Sequence, residues 1–467
     1  MPPNLPKTQS KRRTWLIASL FFFVLIFVGA YFYINTTSEI LSPETPETKQ
    51  KNTSSDTLSL SSANSADAKS IALAPENETR VSKKEVAIQL KMPLTAMNAA
   101  DFCQQFAEVS SDEKGLEELK KQWEKDDKKI DLEFEQLLIN ATKSHDPKHK
   151  AVALAYITQH YNWKAARDEF EKEECNADLT CDAQSKNRYL ALRKEYSDTL
   201  INMARYGIDP QVYAIAYMHC LNGNVKGLCV DLTPYRWTEL DPNNGYAWMA
   251  LNSDYLSKKT PIYSSQIDSV LTSMAQAKKF SIGAEAFSKF ALAPEFQNID
   301  FRLSTQFDVL FYIAMGTPSN FDNKNLQKVC APESPAERQK VCMTILDNYK
   351  EGAISMIDLA MVQVLAKKMN VPATQLQALE NEKQAFRWLQ KKNVMPAERN
   401  EKNIRQACLE TFQMQKEFRE IIKTGEVDYF RKKIAKQKIS VAELAALELE
   451  ARKKEEDEVK KKKSSSN

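Results

Sequence analysis

Glycine is scarce in this chain, and its scarcity restricts the folds that the chain can adopt. The 467 residues include only ten glycines, and none of them lies between Gly115 and Gly207. Strand-like alternation of β-branched residues is hard to find, whereas apolar residues recur every three or four positions along most of the chain after residue 95. The sequence therefore predicts an all-α fold.

One segment, from Tyr189 to Tyr206, illustrates this helical pattern. Its apolar residues lie at intervals of three or four and form one stripe of an amphipathic helix, composed of Tyr189, Leu192, Tyr196, Leu200 and Met203. Gly207 is expected to end this helix. Asp209 and Pro210 then begin the next helix, with the aspartate as N-cap and the proline in the first turn.

Aspartate-proline pairs recur along the chain. Asp146-Pro147, Asp209-Pro210 and Asp241-Pro242 each precede an alanine-rich apolar segment, and they are separated by 63 and 32 residues. Because 63 is close to twice 32, the spacing favours a repeated pair of helices that buries its apolar face only by stacking on its neighbours. The alternative is three unrelated helix starts whose spacing is accidental.

The sequence TELDPNNGYAWMALNSDYL resembles the junction between two tetratricopeptide repeats, or the related Sel1-like repeats. Pro242 stands at the end of one unit, and Trp248, Leu251 and Tyr255 occupy the signature positions of the next first helix, with Asn252 in place of the usual glycine. The resemblance is best over residues 237–280. It implies a solenoid of stacked helical hairpins that binds a peptide or protein in a concave groove, and it carries over no catalytic residue.

A long apolar run lies near the start of the sequence. No charged residue occurs between Arg13 and Glu39, and the twenty residues from Trp15 to Ile34 match a hydrocarbon core of roughly 30 Å when helical. We predict a transmembrane helix over residues 14–35. The basic residues before it predict a cytoplasmic segment, residues 1–13, and export of the rest. A cleaved signal peptide is the competing interpretation, but the run is longer than such peptides need.

The remaining chain divides by composition. Residues 36–94 contain no aromatic residue and are rich in polar ones, which predicts a disordered tether. A tetratricopeptide-like helical domain is expected over 95–300 and a further C-terminal helical region over 301–438. Residues 439–467 are expected to form a charged helical or disordered tail with coiled-coil-like composition. Its lysine run could contact an acidic surface, although a solvated tail is favoured.

The chain has eight cysteines, and the predicted export would place them in an oxidising compartment that favours disulfides. Three pairs are close in sequence, namely Cys175 with Cys181, Cys220 with Cys229 and Cys330 with Cys342, and these are disulfide candidates in an oxidising compartment. Cys103 and Cys408 lie on apolar helix faces. They are expected either to pair with each other or to remain as two buried free thiols. Cys-x-x-Cys does not occur and the histidines are not interleaved with cysteines, so no metal site is predicted.

Several function classes find no support in the sequence. A net charge of +3 provides no global field for nucleic acid, so no nucleic-acid partner is expected. The glycines form no nucleotide-binding loop, and the common serine-hydrolase and zinc-protease signatures are missing, so no cofactor is expected and no catalytic residue is assigned. His145 and His149 are four residues apart, but Pro147 between them indicates an exposed helix start rather than a metal site. The aromatic residues Tyr156, His160, Tyr161 and Trp163 are expected either to line a groove or to lie in the core.

Together these observations predict a single-pass protein of the bacterial inner membrane, with a cytoplasmic N-terminus and most of the chain in the periplasm. The expected function is protein interaction or scaffolding at the cell envelope, with an unidentified protein or peptide partner. An envelope enzyme that acts on cell-wall polymer is the second hypothesis. A structural spacer, for which only length matters, is the third.

Overall fold

The computed structural model describes residues 113–174, 183–222, 227–296, 323–393 and 404–464, together with residues 103, 104 and 107. All of these lie in one compact unit, Leu90–Asn467. The described residues form helices and no strand, with a single isolated bridge between Asn244 and Lys279. The prediction of an all-α fold is confirmed.

Fifteen α-helices are described in this part of the chain. The first eight are α1 (Glu113–Ala141), α2 (Pro147–Glu174), α3 (Ala183–Tyr206), α4 (Pro210–Asn222), α5 (Pro234–Leu240), α6 (Gly245–Ser257), α7 (Ser265–Gln276) and α8 (Ala284–Ala291). The next seven are α9 (Asn323–Val329), α10 (Ala336–Glu351), α11 (Met356–Lys368), α12 (Ala373–Asn393), α13 (Ile404–Thr424), α14 (Glu426–Lys436) and α15 (Val441–Ser464). Two short 3₁₀ helices cover Leu228–Asp231 and Pro294–Phe296.

Two of the three aspartate-proline pairs begin helices as predicted. The Oδ1 atom of Asp146 accepts a hydrogen bond of 2.9 Å from the backbone N–H of Lys148. Asp209 Oδ1 accepts bonds of 2.8 and 3.1 Å from the two N–H groups that follow Pro210. These carboxylates satisfy N–H groups that the first helical turn leaves without partners. Gly207 follows the last residue of α3, as expected.

The third pair behaves differently. Asp241 closes the end of α5, and α6 begins only at Gly245, with Asn244 as its N-cap. Pro242 therefore lies in the turn between two helices and not in a first helical turn. The physical reason is the side chain of Asn244. Its Nδ2 group donates hydrogen bonds to Asp241 and to the backbone carbonyl of Ser281, and its Oδ1 accepts one from the N–H of Tyr246. These bonds fix the N-cap of α6 at Asn244, three residues after Asp241.

The main core forms around α2, which packs against α1, α3, α4 and α8. Residues 151–154 of α2 are all buried, because neighbours cover this helix on several sides. The predicted stripe of α3 faces the same core: Leu200 is fully buried and the other four stripe residues are partly buried against it. Of the predicted aromatic group, Tyr156, His160 and Tyr161 are buried, which favours the core interpretation. The side chain of Trp163 lies outside the described part.

A second, smaller core joins α11, α12, α14 and α15. Phe386 and Phe430 stack in it with ring centroids 5.5 Å apart, and Leu444 of α15 is buried beside them. The segment treated above as a charged tail is thus helical over Val441–Ser464, with its first turns packed against α12 and its distal, charged half exposed.

Three of the predicted disulfides are present. Cys220 pairs with Cys229 and Cys330 with Cys342, which confirms these two neighbour pairs. Cys103 pairs with Cys408 across 305 residues, which decides between the two open alternatives in favour of a bond. Cys175 and Cys181 lie outside the described residues.

The predicted transmembrane segment and the tether both lie outside the described residues. Among the helices that are described, none is both long and apolar enough to cross a bilayer. The tetratricopeptide-like solenoid also remains a prediction.

Candidate functional site

The candidate site is an open groove of about 620 Å³ formed by α5, α6 and α7. In this part of the chain α5 packs against α6, and α6 packs against α7. Six apolar or aromatic side chains line it, namely those of Tyr235, Pro242, Trp248, Leu251, Tyr255 and Val270. Five polar side chains complete the lining, those of Thr238, Glu239, Ser265, Gln266 and Ser269.

The repeat-motif positions predicted from the sequence come together in this groove. Pro242, Trp248, Leu251 and Tyr255 all line it. Leu251 is almost completely buried and forms the floor, whereas Trp248 and Tyr255 are only partly buried. The motif residues therefore share one surface, even though the solenoid that the motif implies remains a prediction.

Hydrogen bonds hold the aromatic wall in place. The Trp248 Nε1–H group donates a bond of 2.8 Å to the carbonyl oxygen of Pro242, so the indole bridges α6 and the preceding turn. Helix α5 begins at a Thr233 N-cap. The Tyr213 hydroxyl contacts both the N–H and the carbonyl of Thr233, at 2.8 and 3.0 Å. These contacts fix the backbone at the start of α5, the helix that carries the groove residues Tyr235, Thr238 and Glu239.

Tyr235 is the largest of the groove side chains that the sequence pattern did not predict. Its side chain is 58% exposed, so the ring is accessible to a ligand in the groove. A sequence signal existed, because Tyr235 directly follows the Thr-Pro start of a short helix and is two positions before Trp237, a spacing that places the two residues on different sides of a helix. The polar lining residues gave no comparable signal, since serine, threonine and glutamine are common on any exposed helix.

Comparison of the chain with protein-family models, with curated proteins and with solved structures finds no match. Interpretation of the groove therefore depends on its own chemistry. Glu239 is the one acidic residue among the lining residues of the described part, which include no basic residue. Hydrolysis of a glycosidic bond normally uses two carboxyl groups. The described lining residues of the groove supply one carboxyl group and not a pair.

A buried polar cluster joins α1 and α2 away from the groove. Glu135 Oε1 accepts a hydrogen bond of 2.9 Å from the Tyr161 hydroxyl, and Oε2 accepts one of 2.5 Å from Lys164 Nζ. His160 Nε2 lies 3.7 Å from the same Oε2 atom. Contact with His160, then with Lys164 and Tyr161, holds the pKa of Glu135 at about 2 despite burial. Asp131 Oδ2 lies 3.1 Å from Lys164 Nζ, so Lys164 forms ion pairs with both Asp131 and Glu135.

Ser197 and His219 form a second polar contact, between α3 and α4. Ser197 Oγ and His219 Nε2 are 2.8 Å apart, a spacing seen in nucleophile-base pairs. Ser197 is completely buried, however, and burial together with the nearby charge of Arg193 lowers the pKa of His219 to about 4. A buried hydroxyl cannot reach a substrate, so this pair is structural.

The two histidines considered for metal binding are not equivalent. His145 is exposed, whereas His149 packs against the rings of Phe290 and Phe296 and lies 3.1 Å from Glu295. The expectation that both form an exposed helix start is therefore wrong for His149, because α8 and the following 3₁₀ helix cover it. No group of three or more potential metal ligands occurs among the described residues.

Proposed function

We propose that this protein is a protein-interaction module that binds an extended peptide segment of a partner in the groove of α5, α6 and α7. The observation that carries the proposal is the convergence of Pro242, Trp248, Leu251 and Tyr255 on one open groove. Binding sites combine an apolar surface with a few polar groups that fix orientation, and this lining has both. Tyrosine and tryptophan are also the residue types that most often dominate the free energy of binding at interfaces.

The proposal includes a location at the cell envelope. An N-terminal transmembrane helix over residues 14–35 would anchor the protein, and residues 36–94 would act as a tether that lets the helical unit reach partners away from the membrane. Three disulfides among the described cysteines support an exported, oxidising environment, because reduced thiols prevail in the cytosol. Periplasmic scaffolding is the simplest function that combines an anchor with a peptide-binding unit.

The test is a peptide selection against the purified full chain in detergent micelles, with a displayed library of random twelve-residue sequences. Enriched peptides are then measured against two variants that each remove one exposed tyrosine. Tyr235→Ala removes a groove side chain, and Tyr206→Ala removes a tyrosine that is 75% exposed at the end of α3. Neither tyrosine is part of the core, so both variants should fold.

We expect Tyr235→Ala to weaken binding of the enriched peptides by at least about fivefold, as for a typical interface aromatic residue. Tyr206→Ala should leave the affinity unchanged. A selection that enriches no peptide would overturn the proposal. Equal effects of the two variants would do the same, because binding would then not depend on the groove.

A further inference from the structure

The lining of the groove also indicates which kind of side chain the partner inserts. We infer that the groove recognises a cationic side chain, an arginine or lysine of the bound peptide, held between aromatic rings and the carboxylate of Glu239. This inference rests on the proposed function, since it specifies the ligand of the same groove. Three observations support it: the way Trp248 is bonded, the charge of the lining, and a cation held by similar groups elsewhere in the same fold.

Trp248 can offer a ligand its ring but not its N–H group. The Nε1–H already donates to the carbonyl oxygen of Pro242 at 2.8 Å. Grooves that bind proline-rich peptides pack the partner's extended backbone against aromatic side chains. A tryptophan whose donor is occupied can still take part in stacking and in the attraction between a cation and the negative face of an aromatic ring. Tyr235 and Tyr255 supply two more rings to the same groove.

The charge of the lining has one sign. Glu239 lines the groove, and no lysine, arginine or histidine is among its lining residues in the described part. The nearest counter-charge is Arg236, whose Nη1 lies 3.1 Å from Glu239 Oε2 within the same helix. Both side chains are more than two-fifths exposed, so this pair contributes little and a ligand cation can compete for the carboxylate.

The same combination of groups holds a cation elsewhere in this fold. Arg338 is buried, its guanidinium carbon lies 5.1 Å from the ring centroid of Tyr263, and two of its nitrogens lie 2.7 Å from Asp268 Oδ1. An aromatic face and a carboxylate therefore hold a guanidinium group in this structure, together with the backbone carbonyl of Ile262, which accepts a bond of 2.8 Å from Arg338 Nη1. In the groove the equivalent groups, Tyr235, Trp248 and Glu239, are present without a cation of the described chain among the lining residues.

A pair of matched peptides tests the inference on the full chain. One is acetyl-Gly-Gly-Arg-Gly-Gly-amide, and the other replaces arginine with citrulline, which has nearly the same shape but no charge. Binding is followed by ¹⁹F NMR of protein labelled with 5-fluorotryptophan, in which Trp248→Phe identifies the Trp248 signal. N-acetylglucosamine tetramer serves as a neutral sugar probe, since sugars can also stack on aromatic rings.

Three variants that change charge complete the design. Glu239→Gln removes the carboxylate, and Arg236→Gln removes its competitor within the chain. Glu337→Gln is the control, because Glu337 forms an exposed pair with Lys340 at the same spacing of three residues as Glu239 and Arg236, although in the opposite order along the helix, and it lies on α10. We expect the arginine peptide to bind about fivefold more tightly than the citrulline peptide, and Glu239→Gln to abolish most of this difference. Arg236→Gln should increase the affinity for arginine, and Glu337→Gln should have no effect.

Each other outcome is decisive. If both peptides shift the Trp248 signal equally, or if Glu239→Gln leaves the preference intact, the inference about charge is wrong while peptide binding stands. If only the sugar shifts the signal, the groove binds saccharides and the inference is wrong. The library selection with Tyr235→Ala reports on peptide binding irrespective of charge, so failure of the proposed function is distinguished from failure of this inference.

Discussion

Asn244, the N-cap of α6, and Asn252, within α6, both have buried side chains, but only the side chain of Asn244 forms hydrogen bonds within the described part of the chain. The Asn244 amide makes bonds to Asp241 and Ser281 and accepts from the N–H of Tyr246. Neither amide atom of Asn252 has a hydrogen-bond partner within the described part of the chain, although the side chain is fully buried. A buried amide without partners costs free energy, because it has lost its hydrogen bonds to water.

We therefore expect Asn252→Leu, which replaces the amide by an apolar group of similar shape, to raise the free energy of unfolding by about 1 kcal/mol. Asn244→Leu should lower it by about 1–3 kcal/mol, because it removes a helix cap and leaves buried groups unpaired. Urea denaturation of both variants provides the measurement. Destabilisation by Asn252→Leu would show that the amide is satisfied in solution.

His219 should make the protein sensitive to mild acid. Its pKa is about 4 in the folded chain, because burial disfavours the charged ring, against an ordinary value of 6.5. Below pH 6.5 the unfolded chain therefore takes up a proton that the folded chain does not. Stability is fully present above pH 6.5 and is lost as the pH falls to about 4, by about 3 kcal/mol from this group.

His219→Gln should flatten the dependence of the unfolding free energy on pH between 6.5 and 4. His145→Gln, at an exposed position, should leave the dependence as it is in the natural chain. Urea midpoints measured at half-unit pH intervals distinguish the two results. An unchanged slope in His219→Gln would mean that the ring is protonated in the folded protein.

Glu135 contributes in a lower window of pH. Its folded pKa of about 2 lies below the ordinary value of 4.5, so its contribution is present above pH 4.5 and is lost as the pH falls from 4.5 towards 2. We expect Glu135→Gln to lower the free energy of unfolding at neutral pH by up to about 3 kcal/mol. The same variant should flatten the dependence of the unfolding free energy on pH between 4.5 and 2. Glu133→Gln, at an exposed position in the same helix, is the control. If the unfolding free energies of the two variants depended on pH in the same way between 4.5 and 2, the contribution assigned to Glu135 would be wrong.

The two disulfides Cys103–Cys408 and Cys220–Cys229 close loops of very different length. Their partners are 305 and 9 residues apart. In the chain-entropy account a longer loop restricts the unfolded chain more, so removal of the long bridge should cost about 3 kcal/mol more than removal of the short one. Double cysteine-to-alanine variants and urea denaturation under oxidising conditions check this. Equal losses would show that strain or residual structure dominates.

The sequence was most informative where a local rule determines the structure. Asp146 and Asp209 cap helices because an aspartate before proline has few other local options, and the apolar stripe of α3 requires only helical periodicity. Asp241 follows the same rule in sequence but not in structure, because Asn244 reaches Ser281, 37 residues away, and moves the helix start. That bond depends on tertiary packing, which local patterns do not encode.

The groove was predictable in part for the same reason. Trp248, Leu251 and Tyr255 belong to a pattern that can be read along one helix. Tyr235 and Glu239 come from a different helix, and only the packing of α5 on α6 brings them to the same surface. The contact between Ser197 and His219 likewise joins two helices, and no spacing in the sequence indicates it.

The long disulfide also sets an order of events during biosynthesis. A chain made from its N-terminus presents Cys103 first, and Cys220, Cys229, Cys330 and Cys342 all emerge before Cys408 does. If each cysteine paired with the next one to appear, Cys103 would be bonded wrongly. The native set thus requires either that Cys103 stay reduced until most of the chain has been made, or that an early wrong bond be exchanged later. Maturation of this protein should therefore depend either on delayed oxidation of Cys103 or on thiol-disulfide exchange.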